Sequence, residues 1–146
     1  MSDIRQKVIE LLQTPQLSSL ATITLDGKPW TRYVMIKADR DFVLRSAVCA
    51  DSRKIKQVRK NPEVHLTFGI TDPLDMNRPY IQIQGIAKVT TDKQARNDFW
   101  FEMLSMIFSG PDDPNYAVMM IEPYRVEFNN PGQRAPEIWE KELFSD

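Results

Sequence analysis

Few side chains in this sequence could do chemistry, and most of them are cations. Arg32 stands within KPWTRYVMIKA (residues 28–38), where strand alternation puts Trp30, Arg32, Val34 and Ile36 on one face. A guanidinium inside an apolar stripe needs a partner, because an unpaired charge removed from water is costly. A core carboxylate, a place at the rim of the fold or an anionic ligand would each supply one. The second group is Asp51-Ser52-Arg53-Lys54, at the start of the short basic segment SRKIKQVRK. Free backbone N–H groups and the positive end of a helix attract an anion there, and Arg53 and Lys54 add cations beside it. Lys56, Arg59 and Lys60 read as an ordinary solvated basic face.

The remaining chemistry is sparse. His65 is the sole histidine and Cys49 the sole cysteine, so an internal disulfide and a multi-cysteine zinc site are ruled out, and no metal site is expected. His65 reads as a satisfied structural group and Cys49 as packing. The chain has five glycines, and no two are spaced for a GxGxxG turn or a P-loop. Any phosphate must therefore be held by side-chain cations or a helix start. With 19 Lys and Arg against 20 Asp and Glu, the net charge is -1. That balance speaks against nucleic-acid binding driven by bulk charge, and the basic segment lacks interleaved aromatics.

The 146 residues suit one domain, and 42% hydrophobic with 27% charged residues suit a chain that buries a core and stays soluble. MSDIRQKVIELLQ lacks the apolar stretch of a signal peptide, and no apolar run is long enough to span a membrane, so a cytoplasmic location is expected. Residues 3–13 form an amphipathic helix capped by Ser2 or Asp3 and stopped by Pro15. LSSLATITL (residues 17–25) puts Leu17, Ser19, Ala21, Ile23 and Leu25 on one face. Asp26-Gly27 then predicts a two-residue hairpin into the strand bearing Arg32. FVLRSAV continues the meander as a third strand. A helix over 52–60 turns Ile55 and Val58 inward and closes at Asn61-Pro62. Strands follow at 64–70 and 80–90, with Gly85 as a bulge or close approach. A long helix over 92–108, capped by Asp92, carries a stripe of Phe99, Trp100, Met103, Leu104 and Ile107. AVMMIEPYRVEF (117–128) is a last strand interrupted at Pro123. Residues 129–146 form a polar tail with isolated Trp139, Leu143 and Phe144. Six short strands with marginal helices imply a mainly β fold, a small six-stranded antiparallel barrel with flanking helices.

These segments together resemble the pyridoxamine 5′-phosphate oxidase-like flavoproteins, which have a split β-barrel, and especially the general stress protein branch. LATITLDGKPWTRYVMIK resembles the family's first hairpin and its R-x-V-x-x-K stretch, here Arg32, Val34 and Lys37. SRKIKQVRKNPEVHLTF resembles its S-R-K helix, N-P-x-V and following strand. YIQIQGIAKVTTD, FWFEMLSMIFSGPDDPNY and PYRVEF follow in the family's order.

The resemblance implies one FMN-binding split-barrel domain over residues 1–130, with residues 131–146 as a tail or dimer arm. It also implies a homodimer with two sites at the subunit interface. Arg32 and Lys54 would hold the FMN phosphate, with Ser52 and Arg53 beside them. The backbone through Arg32, Tyr33, Val34, Met35, Ile36 and Lys37 would run along the isoalloxazine ring, with Ala47 and Val48 as a further contact. Tyr80 falls where the oxidases carry a flavin-contacting glutamine, and Asn129 where many members carry tryptophan. A phosphate would also account for a cation on the inward face at Arg32 and for a helix start loaded with Ser-Arg-Lys. An oxidoreductase of unknown substrate is implied; the alternatives are a non-catalytic flavin-binding stress protein and a split barrel using a deazaflavin. A true pyridoxamine phosphate oxidase is not expected, because its substrate grip and its Arg-x-His pair are missing. After PYRVEF the chain has Arg134 as its only arginine and no histidine.

Overall fold

The computed structural model describes residues 3–142. Ser2, Leu143 and Phe144, named above, lie outside them. The chain runs α1 (Ile4–Leu11), β1 (Gln16–Ile23), β2 (Pro29–Ala38), β3 (Leu44–Cys49), α2 (Arg53–Lys60), β4 (Glu63–Phe68), β5 (Tyr80–Thr90), α3 (Lys93–Phe99), a 3-10 segment (Glu102–Met106), β6 (Tyr116–Asn129) and β7 (Glu137–Glu140). All strands pair antiparallel, in the order β3-β2-β1-β4-β5-β6-β7. Pairing of β3 with β6, from Leu44 opposite Ile121 to Cys49 opposite Tyr116, closes six strands into a barrel. The expected six-stranded split barrel is thus present, with β7 added outside the ring. No helix among the described residues is long and apolar enough to cross a membrane.

The barrel interior is aliphatic. Leu20, Ile36, Leu44, Leu66, Ile81, Ile83, Met119 and Ile121 are fully buried there, and α1 and α2 add Val8, Ile55 and Val58 to the same core. Side-chain oxygens cap α1 at Asp3 and α3 at Asp92, accepting from the amides of Arg5 and Ala95.

Gly85 marks a register shift. Gln84 faces Arg125 while Gly85 faces Pro123, leaving Tyr124 as the extra residue of a bulge. A Cβ on Gly85 would stand 2.7 Å from the Ile121 side chain and 2.9 Å from the Glu122 carbonyl. The bulge takes up the missing amide of Pro123, so β6 runs through without a break.

Three expectations need correction, and the orientation of β1 is settled. The hairpin loop has three residues, Leu25-Asp26-Gly27: the Thr24 amide donates to the Lys28 carbonyl and the Gly27 amide to that of Thr24, with Gly27 at φ +85°. The Leu17, Ser19, Ala21 face of β1 points outward, and Ser18, Leu20 and Thr22 fill the interior. Two of these are polar but bonded: Ser18 donates to the Thr67 carbonyl, and Thr22 to Gln57 Oε1 at 2.5 Å. The long helix over 92–108 is broken. Trp100 takes ψ 134° and Phe101 is extended before the 3-10 segment starts. The break lets Phe99, Leu104 and Phe108 pack together on Tyr116 and Val118 as a second core. Last, part of the tail is a strand, β7, whose Trp139 meets Phe42 edge-on at 5.3 Å.

Candidate functional site

Arg32 lies on the inward-pointing parity of β2, shared with Val34 and Ile36, near the barrel end where α2 begins. Its Nη1 donates to Thr22 Oγ1 at 2.7 Å and to the carbonyls of Leu20 and Trp30 at 3.2 and 3.3 Å. Its Nη2 donates to Oε1 of Gln57, a buried residue of α2, at 3.2 Å. This network locks the guanidinium between two strands and the helix. It contains only neutral acceptors, and among the described residues no carboxylate forms an ion pair with Arg32.

The surroundings of Arg32 are positive. Burial, and then the charge of Arg53, hold the Arg32 guanidinium below its ordinary value. Lys54 is also pushed down, first by burial and then by Arg32, with Cys49 acting in the opposite sense. Ser52 precedes α2 without capping it, and its hydroxyl oxygen is buried with no hydrogen-bond partner. Three cations, an unpartnered hydroxyl and the free amides of a helix start thus converge, and among the described residues none of the three cations forms an ion pair. Such a cluster is unfavourable by itself and suits a phosphate dianion.

An apolar cavity of about 270 Å³ adjoins Lys54. Of the residues expected to contact a ring, Tyr33, Val34, Met35, Ala47 and Val48 line it. The opposite wall comes from the broken helix: Phe101, Leu104, Ile107 and Phe108. Sequence reasoning assigned these no place at the site, because a continuous helix would have aimed them differently. Cys49 and Leu17 complete the lining.

Three other residues expected at the cofactor do not line this cavity. The Ile36 side chain is fully buried in the barrel core. Lys37 borders a separate depression with Ile9, Gln13 and residues 38–41. Tyr80 lines a neighbouring groove that shares Leu17 and Tyr33 with the cavity. Asn129, in the place of the family tryptophan, donates to the Tyr80 carbonyl and to Gln82 Oε1, both at 3.3 Å, and so braces β5 against β6.

His65 is set apart from this site. It faces out from β4 beside Gln82, Gln84, Arg125 and Glu127, and burial lowers its pKa against the opposing pull of Glu127.

Comparison with known proteins gives the same outline. The chain is 31% identical over 134 residues to General stress protein 26 of Bacillus subtilis (strain 168), covering 92% of this chain and 94% of that one. The crystal structure of General Stress Protein 26 from Bacillus anthracis str. Sterne superposes with a TM-score of 0.78 at 29% identity, covering 94% of this chain and 98% of that one. A structure named F420 Reductase shares the fold at 21% identity, with a TM-score of 0.63 over 80% of this chain and 93% of that one. Residues 4–130 match the family model described as pyridoxamine 5′-phosphate oxidase. That span holds the closed barrel, the cation cluster and both walls of the cavity, and it makes this chain a member of the pyridoxamine 5′-phosphate oxidase family.

Proposed function

We propose that the protein is an FMN-binding flavoprotein of the oxidoreductase type that works as a homodimer in the cytoplasm. The observation that carries the reading is the convergence of Arg32, Arg53, Lys54 and the unpartnered Ser52 hydroxyl, with no ion pair to these cations among the described residues. These groups fit a terminal phosphate, and the adjoining cavity between Met35 and Phe101 fits part of a flat ring. Bound FMN would supply one- and two-electron redox chemistry. The chain's own residues anchor the phosphate, lay the ring against β2 and β3, and keep water from one side with the Phe101–Phe108 wall. No carboxylate or histidine borders the cavity among the described residues; Lys54, Cys49 and Tyr33 are the lining side chains that carry a dissociable proton.

Support for a dimer comes from the size of the cavity and the surface beside it. About 270 Å³ is below the roughly 300–1,000 Å³ usual for ligand sites, and a second copy would complete it. Met103, Met106 and Ile107 stand exposed next to the cavity, Met106 at 85%. Turnover of pyridoxamine phosphate is not part of this reading, because no second set of cations borders the cavity.

Calorimetry with FMN, riboflavin and FAD tests the proposal. Two or three charge-assisted contacts of about 1.5–3 kcal/mol each should favour FMN over riboflavin at least about a hundredfold. Riboflavin binding as tightly as FMN would remove the role given to the cations. The visible spectrum of the loaded protein separates FMN from a deazaflavin, and assays with reductants and acceptors separate an oxidoreductase from a non-catalytic flavin carrier.

A further inference from the structure

Beside the cavity lies a second and larger groove, of about 560 Å³, between the outer face of the barrel and the loop that joins β4 to β5. Its volume falls within the range of small-molecule sites. The floor is the outward row of β2, β1 and β4, where Tyr33 faces Ser19 and Ser19 faces Thr67. Met76 of the loop and Tyr80 at the start of β5 line it as well.

The loop is held in place by its own structure. Gly69 has φ +127°, and its missing Cβ would stand 2.5 Å from the Pro79 carbonyl oxygen, so the two ends of the loop touch. Asp72 bonds the amides of Leu74 and Asp75, through its side chain at 2.9 Å and its carbonyl at 3.0 Å. The wall of the groove is therefore built, and the apolar groups it presents are left in water. Tyr33 is 76% and Met76 62% exposed.

The lining has a definite chemistry. It contains no Asp, Glu, His, Lys or Arg side chain. Among the described residues, no protein group bonds the hydroxyls of Ser19, Thr67 or Thr71, which are free to donate or accept. Two tyrosine rings flank the space and offer stacking faces. The groove shares Leu17 and Tyr33 with the apolar cavity, so a molecule in it would lie against whatever fills the cavity.

We propose that this groove is the substrate site, and that it takes a neutral, flat aromatic compound bearing hydroxyl or carbonyl groups and not a phosphorylated one. The proposal rests on the flavin reading for the word substrate, but the binding chemistry stands on the groove alone. A charged phosphate would find no cation among the lining residues and would lose hydration without compensation.

The test uses the full chain without added cofactor and a matched pair of probes, 1-naphthol and 1-naphthyl phosphate, followed by probe fluorescence. Saturable binding of 1-naphthol, at least about tenfold tighter than its phosphate ester in this groove, is expected. Met76→Asp places a carboxylate in the exposed loop and should weaken 1-naphthol about tenfold or more, with melting temperature and FMN affinity unchanged. Thr67→Val should weaken it about three- to tenfold. Any 1-naphthyl phosphate binding abolished by Arg53→Ala belongs to the cation cluster and counts for the flavin reading. Failure of FMN to bind, with 1-naphthol binding intact, would sink the flavin reading and leave the groove assignment standing. Absent or unsaturable 1-naphthol binding, indifference to Met76→Asp, or conversion of a dimer to a monomer by that change would overturn the groove assignment. The last result would make the groove a contact between two copies.

Discussion

Replacing Arg32 by alanine separates ligand binding from folding, because the two effects have different sources. A guanidinium has five N–H donors. In the free protein Nη1 serves three acceptors and Nη2 serves Gln57. Nε and the second Nη2 hydrogen have no protein acceptor among the described residues. A charge-assisted bond to phosphate amounts to about 1.5–3 kcal/mol, so Arg32→Ala should weaken FMN binding roughly tenfold to a hundredfold or more. Stability should respond differently. The lost bonds to neutral acceptors cost about 1 kcal/mol each. Removing a positive charge from the neighbourhood of Arg53 and Lys54 acts the other way. Thr22 and Gln57 also keep their bond to each other. The free variant should therefore lose less stability than the roughly 4 kcal/mol that four lost bonds alone would cost. Lys60→Ala is the control. Lys60 is exposed, its ammonium donates to the Leu25 carbonyl on the hairpin, and its loss should leave FMN affinity unchanged. Calorimetry gives the affinities and urea denaturation the stabilities. Equal losses of affinity at positions 32 and 60 would refute a localised phosphate site. A severe loss of stability in Arg32→Ala would refute the claim that the free cluster repels itself.

Other outcomes follow from the same geometry. Lys54 is held below its ordinary 10.5 by burial and by Arg32, so as pH rises through that lowered value the ammonium is lost and FMN affinity should fall, a slope that Lys54→Met abolishes. The unfolded chain binds more protons than the folded one over that window, so the stability of the free protein should rise with pH there, opposite in sign to the affinity. Gly69→Ala combines a positive φ with a 2.5 Å approach to the Pro79 carbonyl; it should destabilise by about 1–3 kcal/mol, read as a lower urea midpoint at constant slope. Met106→Asp, in the exposed ridge beside the cavity, should shift light scattering from dimer to monomer, and a variant that stays dimeric would place the interface elsewhere.

The sequence carried the barrel well because its turns and alternation agreed. At Arg32 the period-two pattern was clear, since Val34 and Ile36 fixed the inward face. In β1 the same rule sorted the two faces without telling which points inward. The outward Leu17 and Ala21 are more apolar than the inward Ser18 and Thr22, which bond inside the barrel to Thr67 and Gln57. Tertiary partners of that kind are invisible to periodicity. The cations of the site were legible from their types and positions. The far wall was not: an apolar stripe looks the same whether its helix continues or breaks at Trp100, and the break depends on packing against Tyr116. The strand at Glu137–Glu140 was hidden because its edge pairing leaves alternate residues in water.

Closure of the barrel through β3 and β6 has a kinetic consequence. Residues 44–49 pair with residues 116–121, and this contact between distant parts of the chain must form against a large loop-closure entropy. The hairpin of β1 and β2 pairs locally and can form early. The β3–β6 seam is expected to lock late in folding and to open early in unfolding. Ala47, Val48 and Cys49 lie on that seam, and the Phe101–Phe108 wall leads directly into β6. The cavity is thus assembled by the last step of folding. A ligand that bridges its two walls would hold the seam shut, so it should slow unfolding while leaving the folding rate almost unchanged.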